Sequence, residues 1–268
     1  MADRYFDQMG AHFARKIYSG LKGDVRLAVL KRDLAEWLPE ICEADQSLRV
    51  LDVGAGLGHM SEWALLRGHR VTLADPSAEM LDGARERLSA IDSAYPVTYL
   101  QCPLQALTAQ GHSYDLVICH AVLEWLEEPA LALAVLRQLC RPGGRISLAF
   151  YNRDALVYKN LIKGQLRKLA KNQLAGSKRS LTPQQPLDPA LMADWVRQQQ
   201  LECLEKSGIR VFYDYMPAEF QTLLQPEEVI EQELRYSRHP TYRDLGRYLH
   251  WWLRPIDQAH RPVRPARN

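Results

Sequence analysis

An α/β fold on a doubly wound sheet is what this 268-residue sequence predicts, and three observations carry the prediction. Between residues 49 and 151, short apolar runs alternate with segments whose apolar residues recur at helical spacing. The first run, Arg49–Val53, enters the turn Gly54-Ala55-Gly56-Leu57-Gly58 and then a helical stretch from His59. The second run ends on an acid, Asp75. A strand, a glycine turn and a helix, with an acid closing the next strand, point to a nucleotide-like cofactor lying against the turn backbone.

The elements follow in order. Residues 1–23 mix aromatics with charges and read as short helical pieces of a cap that extends to residue 45. From Asp24 to Glu43 the residues Leu27, Leu30, Leu34, Trp37, Leu38 and Ile41 keep helical spacing, with Leu38-Pro39 as an interruption and Arg26 in the first turn. Strand one (49–53) and a helix over 58–67 are closed by Gly68, and strand two covers 70–74. Ser77 caps a helix whose apolar face is Met80, Leu81, Ala84 and Leu88. Strand three spans 97–101, strand four 115–119 and strand five 145–151, the last preceded by a helix over 129–140 and the turn Arg141-Pro-Gly-Gly144. This βαβ rhythm requires parallel strands, right-handed crossovers and helices on both faces. Beyond Tyr151 a basic insertion (153–182) lies over the sheet's edge. It is followed by a helix over 189–200, a strand over 208–215, a helix over 226–238 and a last strand over 247–253 packed by Tyr248, Trp251 and Trp252. One domain covers 1–254, and the Pro/Arg-rich tail 255–268 is expected to be disordered.

Composition narrows the function classes. A chain 47% hydrophobic and 25% charged is an ordinary globular protein. The start lacks the apolar core of a signal peptide and no run approaches membrane-spanning length, so a cytoplasmic protein with no membrane partner is expected. The five cysteines form no C-x-x-C pair, and no histidine stands at ligand spacing; packing thiols and no metal are expected. Residues 1–150 hold 15 Lys+Arg against 19 Asp+Glu, and 151–268 hold 19 against 13, charges of −4 and +6. Within 153–182, eight basic residues face the lone Asp154. Such a run is either a solvated helix face or a site for a phosphate-rich partner.

The cofactor can be narrowed further. A dinucleotide site carries G-x-G-x-x-G, whereas this chain has D-x-G-x-G-x-G (Asp52, Gly54, Gly56, Gly58). No diphosphate needs cradling if the ligand is S-adenosylmethionine. Asp52 would attract its ammonium, and Asp75 offers two oxygens to a ribose diol. In these motifs, and in Arg141-Pro-Gly-Gly144, residues 50–151 resemble the class I S-adenosylmethionine-dependent methyltransferases. The resemblance implies their Rossmann-like mixed sheet.

Further segments are similar to the bacterial tRNA 5-carboxymethoxyuridine methyltransferase family. These are Asp3-Arg-x-Phe6, Arg15-x-Ile-Tyr18, Lys22-Gly23 with Arg26, His120–Trp125, Phe150–Asn152, Gly208-x-Arg-Val-Phe212 with Asp214-Tyr215, and Leu245–Tyr248. This resemblance implies methyl esterification of a carboxymethoxy group on a tRNA wobble uridine. It also implies cofactor contacts at Arg26, Gly54, Ala55, Asp75, Leu104, Gln105 and His120, and tRNA contact through the basic insertion, including Lys178 and Arg179, near the anticodon. Read as residues alone, Arg26 is a bidentate fork for the cofactor carboxylate or an exposed helix charge, and His120 a cofactor-packing ring or a polar strand cap. Gln105 is an adenine partner or part of a surface loop. Tyr151 and Arg210 are positioning candidates for the substrate; Arg210 would meet the substrate carboxylate or the RNA, with a strand-edge charge as its bland reading. A carboxylate nucleophile is ionised near neutral pH and needs no general base. Competing readings are a class I methyltransferase for another RNA or a small acid, a non-catalytic tRNA- or cofactor-binding module and, third, a nicotinamide oxidoreductase.

Overall fold

A computed structural model describes residues 20–43, 46–91, 96–174, 183 and 185–256. Seven strands form one sheet in the order β3-β2-β1-β4-β5-β7-β6. They are β1 (Arg49–Val53), β2 (Arg70–Ala74), β3 (Thr98–Leu100), β4 (Tyr114–His120), β5 (Cys140–Tyr151), β6 (Leu201–Ile209) and β7 (Tyr248–Pro255). Pairings from β3 to β5 are parallel; β7 runs antiparallel to both β5 and β6.

The central strands are buried on both faces, which is why they read as unbroken apolar runs: Leu116, Val117, Ile118 and Cys119 are all fully enclosed. One face is covered by α1 (Leu21–Trp37), α2 (His59–Leu65) and α3 (Ala78–Leu88), which contribute Leu30 and Leu34, Trp63 and Ala64, and Leu81 and Ala84. The other face takes α4 (Pro129–Leu139) and α7 (Pro189–Gln198) through Leu133, Leu136, Met192 and Val196. Between them, α5 (Arg153–Ile162) and α6 (Leu166–Ala170) make up the described part of the insertion. The short α8 (Ala218–Gln221), α9 (Pro226–Tyr236) and the short α10 (Pro240–Arg243) follow β6.

Several expectations need correction. The first described helix starts at Leu21, placing Arg26 in its second turn, and it ends at Trp37 because Pro39 cannot continue the ladder; residues 39–42 form a 3-10 turn. The strand placed at 208–215 is β6 at 201–209. Its alternating pattern was obscured by polar residues on an edge strand with a bulge between Cys203 and Glu205, and residues 213–215 are a 3-10 turn. β5 extends back through the Pro-Gly-Gly turn to pair Cys140 with Tyr114. Pro255 lies in β7 and Ile256 N–H donates to Gln200 O at 2.8 Å, so the first two residues assigned to a disordered tail are ordered, the first of them in the sheet. The described part of the insertion, 153–174, sits at the carboxyl end of β5: Leu156 and Leu174 share a core cluster with Tyr151 and Tyr248, and the Tyr215 hydroxyl donates to Ala155 O. Residues 1–19, Lys178, Arg179 and 257–268 lie outside the described residues.

Candidate active site

The glycine turn shows why its sequence is what it is. Gly54, Gly56 and Gly58 all have positive φ (62, 54 and 72°), the left-handed region that favours glycine. A Cβ on Gly54 would lie 2.4 Å from Val122 Cγ2, whereas one on Gly56 would meet nothing within 4 Å. The turn is therefore closed against the loop after β4 and open above Gly56. Ala74 O accepts from Gly54 N–H at 2.7 Å and from Ala55 N–H at 3.2 Å, tying the turn to the end of β2.

Asp75 continues that tie. Its Oδ2 accepts from Gly56 N–H (3.0 Å) and its Oδ1 from Ser77 N–H (2.9 Å), so the carboxylate is fixed at the end of β2 beside the glycine turn. Asp52 sits beneath, accepting from Ser61 Oγ at 2.7 Å. Burial pushes its carboxyl up to about 7, against the Ser61 hydrogen bonds and with a smaller push from Asp75. Leu104, buried, and Gln105, exposed, open the 3-10 turn that follows β3.

His120 ends β4, and Ala121 beyond it holds φ 59°. A chain of hydrogen bonds runs inward from this ring: His120 Nε2 to Ser147 Oγ (2.8 Å), Ser147 Oγ to His250 Nε2 (2.8 Å), and His250 Nδ1 to Asp33 Oδ2 (2.8 Å). It fixes the ring plane and leaves Nδ1 buried with no hydrogen-bond partner. Burial, with the neighbouring His250 and Arg26, holds the His120 imidazole well below its ordinary range, so it is neutral.

Arg26 is buried, its guanidinium 4.5 Å from the centroid of Tyr248. Close by, the Glu124 carboxyl is buried and has no side-chain hydrogen-bond partner among the described residues. Burial pushes its carboxyl up to about 7; its own backbone N–H, Arg26 and the Tyr151 backbone only partly offset this. Tyr151 packs edge-on against Tyr248 at 5.2 Å, and burial raises its phenol to about 12, so it is protonated at neutral pH. Around it lie Arg210, Arg247 and Asp214, with Arg247 Cζ 5.4 Å from the Tyr151 ring. The glycine turn, Asp75, His120, Glu124 and Tyr151 stand at or just beyond the carboxyl ends of the parallel strands, Arg210, Asp214 and Arg247 lie in the segments after β6 and before β7, and Arg26 reaches them from α1. A separate cleft of about 410 Å³ between Arg49, Arg70, Thr98 and Tyr114 opens at the amino ends of β1 to β4, remote from the glycine turn.

Arg26, Asp52, the glycine turn, Asp75 and His120 are thus brought to one rim, with Tyr151 and Arg210 beside them. No sequence pattern assigns a role to Arg247, Ser147, His250 or Asp33, and that of Tyr248 predicts only strand packing. Arg247 does fall within the quoted segment Leu245–Tyr248, which was its only sequence signal.

Fold order, glycine turn and the acid after β2 define a class I S-adenosylmethionine-dependent methyltransferase. The methyltransferase domain family matches residues 51–148. Over 251 residues the chain is 37% identical to the tRNA 5-carboxymethoxyuridine methyltransferase of Escherichia coli strain K12, covering 93% of this chain and 95% of that one. A ubiquinone biosynthesis O-methyltransferase of Aeromonas salmonicida is 32% identical over 55% of this chain and 63% of its own. Among solved structures, the magnesium protoporphyrin IX methyltransferase of Synechocystis with bound SAH superposes with a TM-score of 0.56 at 21% identity, over 75% of this chain and 88% of that one. An S-adenosylmethionine-dependent methyltransferase from Mesorhizobium loti gives 0.55 at 20%, over 88% and 100%. These two share the fold. The chain belongs to the tRNA 5-carboxymethoxyuridine methyltransferase family.

Proposed function

We propose that this enzyme methylates the carboxylate of 5-carboxymethoxyuridine at the wobble position of tRNA, in the cytoplasm. The observation that carries this reading is the span of the likeness: 93% of the chain matches the Escherichia coli enzyme, including α1, β6 and β7, which lie outside the 51–148 methyltransferase domain. Those are the elements that hold Arg26, Arg210 and Arg247 at the rim.

The residues present fit S-adenosylmethionine. Space above Gly56, the Asp75 carboxylate held beside it and the unpartnered Nδ1 of His120 form a cradle with polar groups at its edge. When bound, the cofactor supplies an electrophilic methyl on a positively charged sulfur. Arg26 would take its carboxylate, Asp52 its ammonium through the turn, and Asp75 its ribose. Gly54, Ala55 and Gly56 would face it with backbone, and Leu104, Gln105 and His120 would enclose the adenine side. For the substrate, Tyr151 and Arg210 orient and exclude water. A carboxylate with an ordinary pKa of about 4 needs no base, so the rate gain comes from alignment and a dry, preorganised site. Lys178 and Arg179, with the rest of the basic insertion, approach the anticodon arm. No helix among the described residues is long and apolar enough to cross a membrane.

Purified protein should transfer a labelled methyl group from S-adenosylmethionine to tRNA bearing the carboxymethoxy group, and not to the same tRNA without it. Transfer to the unmodified tRNA alone, or to neither, would sink the proposal.

A further inference from the structure

We propose that Arg247 and Arg210, braced by Asp214, are the receptor for the substrate's carboxylate, with Arg247 as the residue that determines specificity for it. This deepens the reading above and rests on it for the identity of the anion.

Charge imbalance comes first. The buried Asp214 accepts from Arg247 Nε at 3.2 Å and faces Arg210 Nη2 at 3.4 Å and Lys22 Nζ at 3.5 Å. Burial alone would raise its carboxyl, but Arg210, Arg247, Lys22 and Lys159 outweigh burial and hold it below the ordinary range. One carboxylate therefore stands among four cations. Lys159 registers the excess: burial first, then Arg247, bring its ammonium down to about 8.

Unused donors come second. Arg247 is only 8% exposed, and its Nη1 is buried with no hydrogen-bond partner. Arg210 Nε is likewise buried and unmatched. A buried guanidinium N–H without an acceptor is costly, so the arrangement is incomplete until an anion arrives.

The backbone is built to hold this arrangement. Arg210 adopts φ 59°, an unfavourable conformation for a residue with a side chain. The buried Glu233 fixes the turn by accepting from the N–H groups of Val211 (2.7 Å), Phe212 (3.2 Å) and Tyr213 (2.9 Å), while Arg210 O accepts from Arg247 N–H (3.3 Å). Both arginines adjoin the Tyr151–Tyr248 pair. Arg210 Cζ lies 5.5 Å from the Tyr248 centroid and Arg26 Cζ 4.5 Å from the same ring. The anchor expected for the cofactor's carboxylate and the proposed receptor are therefore one aromatic ring apart.

Asp214 has a chemical consequence. A bare arginine pair would grip both carboxylate oxygens and reduce the reactivity of the one that must attack. With Asp214 occupying Arg247 Nε, the side-on fork through Nε is unavailable, and the receptor's grip on the carboxylate runs through Arg247 Nη1.

The test is equilibrium binding, at fixed salt, of one tRNA with and without the carboxymethoxy group on its wobble uridine. Wild type should prefer the modified tRNA by about tenfold or more, the value of one charged hydrogen bond. Arg247→Lys should bring that preference within about twofold and raise KM for modified tRNA more than it lowers kcat, while S-adenosylhomocysteine binding stays unchanged. Arg210→Lys should reduce the preference in the same sense. If Arg247→Lys loses S-adenosylhomocysteine binding through misfolding, the pair Arg247→Gln with Asp214→Asn removes both buried charges and is read by the same preference.

Equal binding of the two tRNAs by wild type overturns the receptor. So does a variant that weakens both tRNAs alike, which would assign the arginines to RNA phosphate. A wild type that discriminates through Arg247 yet transfers no methyl would sustain the receptor and defeat the proposed activity. Turnover undiminished in Arg247→Lys would do the reverse.

Discussion

Asp52 and Glu124 are buried carboxyls near the glycine turn and Arg26, each pushed up to about 7 chiefly by burial. Their unfolded values are about 4, so between about pH 4 and 7 the folded chain holds more protons than the unfolded one. In that window these two groups lower stability as pH rises. A cationic ligand reverses the preference by favouring the ionised form. The ratio of affinities for S-adenosylmethionine and the uncharged thioether S-adenosylhomocysteine isolates the sulfonium charge, since both ligands share the amino-acid end. That ratio should rise from pH 6 to 8 in titration calorimetry and flatten in Glu124→Gln. A wild-type ratio independent of pH would remove Glu124 from cofactor recognition.

At the scale of elements, α1 is bolted to the antiparallel end of the sheet by Asp33. Its Oδ1 accepts from Arg238 Nη2 (2.6 Å), Arg32 Nε (2.8 Å) and Ser207 Oγ (3.1 Å), and its Oδ2 meets His250 on β7. Burial works against the carboxylate, yet His250, Arg32 and Arg238 hold its pKa below the ordinary range. Since the folded value is depressed, the contribution is complete above about pH 4 and is lost as pH falls through the folded value. Asp33→Asn should cost about 3–5 kcal/mol, because it leaves partly buried cations without their counter-charge. Urea unfolding at pH 7 measures this, and a loss under about 1 kcal/mol would mean that α1 is held by packing alone. The same chain reaches His120 through Ser147, so the variant should also weaken S-adenosylhomocysteine binding.

For the whole molecule, the antiparallel addition of β7 and β6 carries the rim outward and sets the basic insertion beside it. In the described part, Lys163, Arg167, Lys168 and Lys171 are exposed on or beside α5 and α6. Replacing all four by alanine should leave thermal stability and S-adenosylhomocysteine binding unchanged. The slope of log affinity for tRNA against log salt should become shallower by about 3, at roughly 0.7–0.9 per phosphate contact. An unchanged slope would exclude this face from tRNA binding.

The parallel half of the sheet and the cofactor turn were legible in the sequence for local reasons. Gly54, Gly56 and Gly58 are imposed by their own dihedrals, and β1, β2 and β4 are apolar because both their faces are covered. Ser77 and Pro39 mark helix boundaries by short-range hydrogen bonding and by a missing N–H. β6 is not legible locally because an edge strand carries polar residues and a bulge, and its pairing partner, β7, lies far along the chain. The grouping of Arg210 and Arg247 around Asp214 and the chain from His120 to Asp33 belong to the tertiary structure alone. Their members are drawn from α1, β4, β5, the turn after β6 and β7, and a buried charge is tolerable only where partners distant in sequence meet it. The sequence by itself determined the fold, the methyl donor and, through the family resemblance, the kind of substrate. Folding decided which arginines are desolvated together, because burial and charge pairing are properties of position in space.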